Sequence, residues 1–218
     1  GGNARARAAY ASGSPAWGVG PGNAGAYVDP SAAVDAAARC LVESKSFDNS
    51  ILCTNESICL TLEENRGNME RALRTAGAHI CNAQDTDKLR DYLWSGGNFN
   101  LDAIGKSAVW IAKEAGIRIN DAAKILVPVV ERPGLDDELF KEKLCPVLTL
   151  TAATDFDQAV TFAAQAAKRG AGHSAAFHGE KHHRLMAFSS AVPVNRVVVN
   201  APCSQGAAGF ATHLPPSF

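Results

Sequence analysis

Apolar positions recur along this chain at helical spacing in some stretches and in short β-branched runs in others. Between Ser31 and Ser44, Val34, Ala38, Leu41 and Val42 fall on one helical face. Asp48-Asn49-Ser50 supplies turn chemistry that stops that helix, and residues 57–62 then read as a strand. The most regular stripe covers 155–169, with Ala159, Val160, Ala163, Ala164 and Ala167 inward. Further helices are predicted over 3–12, 69–76, 86–94, 107–115 and 180–190. Strands are predicted over 15–19, 26–28, 78–81, 124–130, 145–151, 173–177 and 196–199. The stretches 96–106 and 131–143 read as long surface loops. Strands separated by helices imply right-handed crossovers, so the expected fold class is α/β, a mostly parallel sheet with helices on both faces. No segment reads as an interdomain linker, and residues 1–218 are expected to form one domain.

Charge narrows the function classes. With 21 basic and 22 acidic residues the net charge is −1, and no basic stripe marks a nucleic-acid partner. No apolar run approaches the roughly 20 residues of a membrane span. The longest, 125–130, reads as a buried strand. Six cysteines are scattered without a C-x-x-C pair, which points to reduced thiols and a cytoplasmic protein.

One thiol stands apart. In Ser46-Phe47-Asp48-Asn49-Ser50-Ile51-Leu52-Cys53, the cysteine sits on a turn between a helix and a strand. There its sulfur can face a cleft with its own backbone N–H alongside, the geometry of a nucleophile whose attack creates an oxyanion. The alternative, a small buried hydrophobe, is equally open on position alone. His173, at the head of a strand after Arg169-Gly170-Ala171-Gly172, reads either as a backbone-bonded histidine or as a proton carrier near the thiol. Glu142 in Lys141-Glu142-Lys143 reads as a solvated loop charge.

Two literal motif matches carry no function. Gly20-Pro21-Gly22-Asn23-Ala24-Gly25 fits G-x-G-x-x-G, but it leads into extended chain rather than a helix, so it is a tight glycine turn and not a phosphate cradle. His178, His182 and His183 read as a solvated helix start, and no metal site is expected.

Together these segments resemble the aldehyde dehydrogenase superfamily, and within it the CoA-acylating branch. Gly1-Gly2 through Ala8-Ala9-Tyr10-Ala11-Ser12-Gly13 is similar to the family's T-G-G…A-A-Y-x-S-G stretch, and Gly18-Val19-Gly20-Pro21-Gly22-Asn23 to its G-V-G-x-G-N block. Ser44-Lys45-Ser46-Phe47-Asp48-Asn49 with Cys53 and Glu56 resembles S-K-[ST]-F-D-N-x-x-x-C-x-x-E. Glu142-Lys143-Leu144-Cys145-Pro146 with Gly172-His173 resembles E-K-L-S-P…G-H-T, and Arg196 to Pro202 with Gln205-Gly206 resembles R-[IV]-L-[IV]-N-T-P-x-x-Q-G. Cys145 and Cys203 depart from the pattern, standing where small hydroxylated residues are usual.

The resemblance implies roles. Cys53 would attack an aldehyde and hold the resulting acyl group as a thioester, with His173 assisting proton transfer. Glu142 would hold the nicotinamide ribose of NAD or NADP, with Gly18 in the same cofactor-binding set. Coenzyme A would take the acyl group as co-substrate. Hydrolytic relatives carry a general-base glutamate where this chain has Gly18, which favours thiolysis over hydrolysis. The resemblance also implies that 1–218 is a catalytic domain, with the family's nucleotide-binding domain and C-terminal tail outside it and little NAD affinity of its own. The expected partners are a small aldehyde and CoA, without nucleic acid or membrane. The expected setting is a cytoplasmic homo-oligomer, or one within a bacterial microcompartment. A hydrolytic aldehyde dehydrogenase, a cysteine acyltransferase or hydrolase without redox chemistry, and a non-catalytic binding module are the competing readings.

Overall fold

The computed structural model describes residues 2–16, 22–170, 172–210 and 213. In chain order its elements are α1 (Gly2–Ala11), β1 (Gly25–Val28), α2 (Val34–Ser46), β2 (Ile58–Leu62), α3 (Glu63–Ala76), β3 (Ala78–Ile80), α4 (Ala83–Leu93), β4 (Trp94–Ser95) and β5 (Asn98–Phe99). There follow α5 (Ala108–Glu114), β6 (Ile125–Val127), β7 (Thr149–Ala153), α6 (Phe156–Arg169), β8 (Ala175–His178), α7 (His182–Ala191), β9 (Val197–Val199) and α8 (Cys203–Ala208).

Five strands form one fully parallel sheet in the order β7-β2-β1-β8-β9. Alternation along the strands sorts side chains to two faces. Ala26, Val28, Cys59 and Ala176 point to one layer, where they meet Ala38, Leu41 and Val42 of α2 and Met69 and Leu73 of α3. Tyr27, Ile58, Leu60 and Phe177 point to the other, against Ala159, Phe162 and Ala166 of α6 and Phe188 of α7. Both faces are therefore covered, as the near-continuous apolar runs of a parallel sheet require.

A second parallel pair, β3 with β6, sits beside β7 through the bridges Leu126↔Val147 and Val129↔Leu150. It joins a third core built by Leu89 and Leu93 of α4, Ile111 of α5, and Trp94 of the antiparallel β4–β5 hairpin. Among the described residues no helix is long and apolar enough to cross a membrane.

Several boundaries differ from the pattern-based reading. Helix α3 begins at Glu63, six residues before the predicted start at 69, because its first turn is polar and leaves no apolar stripe. Helix α4 begins at Ala83, where the Asn82 side chain accepts the Asp85 N–H at 2.9 Å. The stretch 96–106 is not irregular throughout: Gly96 and Gly97, at φ 60° and 80°, turn the β4–β5 hairpin. The stretch 131–143 is not wholly at the surface either, since Leu139 and Phe140 are fully buried. Helix α8 was not expected. The strand expected over 15–19 falls largely outside the described residues, and Pro15 and Ala16 lie in no strand.

Candidate active site

Three loops that enter the parallel sheet converge at its amino edge. They are Gly22–Ala24 before β1, Cys53–Ser57 before β2, and His173–Ser174 before β8. Helix α2 delivers the chain to the second loop through an unusual reversal. Asp48, Asn49 and Ser50 all lie in the left-handed region, at φ 49°, 47° and 62°. Each such non-glycine residue costs about 1–2 kcal/mol, so surrounding contacts must hold the reversal. The Asn55 amide donates to the Phe47 carbonyl at 3.0 Å, and the Ser57 N–H to the Ala24 carbonyl at 2.7 Å.

The half-buried Cys53 places its Sγ 3.2 Å from Nε2 of His173. The other ring nitrogen, Nδ1, lies 2.9 Å from the Ser174 hydroxyl, which fixes the plane of a ring only 3% exposed. The histidine is thus bonded through side chains and not to nearby backbone. Burial, reinforced by the positive charge of Arg196, lowers the His173 pKa to about 4. Burial, and then the negative charge of Glu142, raises the Cys53 pKa. Both shifts favour the uncharged partners, so the resting pair is thiol and neutral imidazole rather than thiolate and imidazolium.

Glu142 is no solvated loop charge. It lines an open cleft of about 420 Å³ with Trp94, Phe99, Lys141 and Arg169, accepts the Gly22 N–H, and has its pKa pushed up to about 7, chiefly by burial. The loop carrying it is braced from beneath by a buried lysine. Lys45, at the end of α2 and 0% exposed, donates to the Lys143 carbonyl at 3.0 Å, and burial brings its pKa down to about 8. Lys143, also buried, donates from Nζ to the Lys141 carbonyl at 3.0 Å and from its backbone to Ser57 Oγ at 3.1 Å. Glu56, fully buried three residues after the thiol, accepts the Cys203 N–H at 3.0 Å, and burial raises its pKa to about 7. Lys45 and Glu56 were visible only as letters of a motif. Their burial has no signature in hydropathy, because each is bonded to backbone far away in sequence.

The expected glycine turn falls partly outside the described residues, but Gly22 itself is tightly enclosed: a Cβ there would lie 2.0 Å from the Cys53 carbonyl oxygen. Gly18 lies outside the described residues. His178 corrects the reading of the histidine cluster. It ends strand β8 and is 2% exposed, whereas His182 and His183 open α7 in solvent. All six cysteines are free thiols.

A half-buried thiol beside an imidazole, and a cleft lined by a carboxylate, lie on the amino edge of a covered parallel sheet in an α/β fold. The relatives of the chain are more specific. No family model matches it. It is 34% identical over 219 residues to the succinate-semialdehyde dehydrogenase (acetylating) of Clostridium kluyveri, covering all of this chain and 48% of that protein. It is 36% identical over 219 residues to the sulfoacetaldehyde dehydrogenase (acylating) of Cupriavidus necator, covering 99% of this chain and 44% of that one. The solved acetylating aldehyde dehydrogenase of Geobacillus thermoglucosidasius superposes with a TM-score of 0.91 at 32% identity, over 100% of this chain and 48% of that one. Two further solved structures, at 27% and 26% identity, are a glycolyl-CoA reductase with NADP+ and a Rhodopseudomonas palustris propionaldehyde dehydrogenase with CoA and an acylated cysteine. The chain is a relative of the acylating aldehyde dehydrogenases, alike in sequence and fold along its whole length, and spans about half the length of these relatives.

Proposed function

We propose that this chain is the cysteine-bearing catalytic domain of an NAD(P)-dependent, CoA-acylating aldehyde dehydrogenase. The single observation that carries the reading is the 3.2 Å approach of Cys53 Sγ to His173 Nε2 in a pair held uncharged. A neutral imidazole can accept the thiol proton as sulfur attacks, so the strongly nucleophilic thiolate forms only when an aldehyde is in place. The new C–S bond leaves an alkoxide, for which the Cys53 backbone N–H serves as a donor.

The residues of the cleft fit a nicotinamide nucleotide at one end. Glu142 is an acceptor for ribose hydroxyls, and Lys141 and Arg169 supply positive charge beside the aromatic walls. Once bound, the nicotinamide supplies the two-electron acceptor that the oxidation needs. The chain's own residues then hold the acyl group on Cys53 while the thiol of CoA attacks its carbonyl carbon. His173 takes the proton of the incoming thiol, the bond to Cys53 breaks, and Cys53 leaves to be reprotonated. The balance is aldehyde, CoA thiol and oxidised nucleotide giving acyl-CoA, reduced nucleotide and a proton. The family's nucleotide-binding domain, outside this chain, is needed for full cofactor affinity. The same reading places the enzyme in the cytoplasm or a microcompartment, as a homo-oligomer.

One observation favours a second outcome for the thioester. Glu142, at a pKa of about 7 and close enough to raise that of Cys53, is chemically able to activate water. Assay of the complete enzyme with acetaldehyde, sulfoacetaldehyde and succinate semialdehyde, each with and without CoA, separates the two. The proposal expects nucleotide reduction that depends on CoA and yields acyl-CoA. Free acid formed at the same rate without CoA contradicts it.

A further inference from the structure

Cys53 occupies the amino edge of the parallel sheet; a separate cavity occupies the carboxyl edge. From β1 the strand order runs to β2 and β7 on one side and to β8 and β9 on the other. The loops leaving β1 and β8 therefore part in opposite directions, α2 covering one face and α7 the other. Open α/β sheets bind ligands in the crevice that such a switch point leaves at the carboxyl ends of its strands. Here the two strands end in register, Val28 beside His178.

A cavity of about 130 Å³ fills that crevice. One wall is small and apolar, formed by alanines at the start of α2 with Cys40 beyond them; the other carries His178, Glu180 and Asn200. His178 is 2% exposed, and its Nε2 has no hydrogen-bond partner. Buried polar atoms are seldom left so, because each keeps the cost of lost hydration. Asn200 does not serve it: its amide instead bonds both the N–H and the carbonyl of Gly179, at 2.9 and 3.0 Å.

The walls are fixed before any ligand arrives. The Asp29 N–H donates to the His178 carbonyl at 2.8 Å, and the Glu180 N–H to Ser31 Oγ at 3.1 Å. Arg184 Nη1 binds the fully buried Asp29 carboxylate at 2.7 Å. Such preorganisation lowers the ordering cost of binding.

Charge selects the ligand class. An anion would meet Glu180, and a cation would meet the positive end of α2, so a neutral molecule fits best. Burial holds the His178 imidazole neutral, with its pKa near 4. A hydroxyl both donates and accepts, so it pairs with Nε2 in either tautomer, which a carbonyl cannot. A dry cavity of ~150 Å³ accommodates benzene, so a smaller one with an open mouth takes a chain of roughly three to four carbons.

We infer that this crevice binds a short-chain primary alcohol, its hydroxyl on His178 Nε2 and its alkyl chain along the α2 alanines. The site is on the far edge of the sheet from Cys53 and does not rest on the reading of that residue.

NMR titration of the labelled protein with 1-propanol tests it. The expected result is a saturable shift of the His178 ring signals and of the Ala36 and Ala37 amides, with a midpoint on the order of 10 mM. Ala36→Leu, which fills the cavity from a helical position, abolishes the saturation while the remaining spectrum persists. His178→Leu weakens binding by about tenfold. A shift that only drifts linearly with alcohol, or saturable binding unchanged in Ala36→Leu or in His178→Leu, overturns the inference.

Discussion

Gly22 passes so close to Cys53 that a single added carbon would collide with the Cys53 carbonyl oxygen, at 2.0 Å. The loop before β1 is thereby the floor on which the thiol loop rests. Gly22→Ala is expected to cost about 3 kcal/mol in stability and to slow iodoacetamide labelling of Cys53 at least about tenfold. Urea unfolding and peptide mass spectrometry measure the two effects. An alanine variant as stable and as readily labelled as the parent refutes the close approach.

The uncharged resting state of Cys53 and His173 has a kinetic signature. The thiol pKa is raised and the imidazole is held near 4, so no thiolate–imidazolium plateau exists at neutral pH. Labelling of Cys53 is expected to accelerate steadily with pH, approaching tenfold per unit, from pH 6 to beyond the ordinary thiol range. A rate already level between pH 6 and 8, as an ion pair gives, contradicts this assignment.

Ser50 is held at φ 62° with its hydroxyl buried and unpartnered. Ser50→Gly removes the backbone strain and the orphan group together, against a smaller loss from the more flexible unfolded chain. A gain of about 1 kcal/mol in urea unfolding is expected, with Cys53 labelling unchanged. Destabilisation would show that the hydroxyl contributes something the structure does not reveal.

Acid stability follows from four groups whose pKa values burial shifts in opposite senses. His173 and His178 have folded pKa values near 4, below the ordinary 6.5, so in that window the unfolded chain binds more protons and stability falls as pH falls. Glu56 and Glu142 sit near 7, above the ordinary 4.5, so there the folded protein binds more protons and stability rises as pH falls. Two groups against two leave the melting temperature nearly flat between pH 6.5 and 4.5. Below that the glutamates add nothing more, the histidines continue, and Asp29 and Asp137, both lowered by arginine partners, begin to lose their ion pairs. Melting curves across pH 3–7 check the shape, and a steady decline beginning at pH 7 is inconsistent with it.

Much of the fold was legible in the chain because parallel strands buried on both faces leave compact apolar runs between helical stripes. The stripe of α6 survived almost residue for residue, from 155–169 to Phe156–Arg169. The positions of Cys53 and His173 before strands were also legible, since a turn before a strand leaves its mark in Asp48-Asn49-Ser50 and in the glycines ahead of His173. What pattern alone concealed is charge in the interior. Lys45 reads as the polar end of an amphipathic helix, yet it is fully buried because a carbonyl 98 residues away accepts from it. Glu56 is hidden by the same means, through the backbone of Cys203. His178 was misplaced because Gly179 and Glu180 resemble a helix start, whereas the strand continues through the histidine before α7 begins.

Treatment of the complete enzyme with a radiolabelled acyl-CoA, followed by acid quench and peptide mapping, reports acyl transfer to Cys53 itself. Free CoA is expected in step with label on the peptide containing Cys53, and neither event in Cys53→Ala. Label on any other residue, or full acyl transfer by the alanine variant, contradicts it.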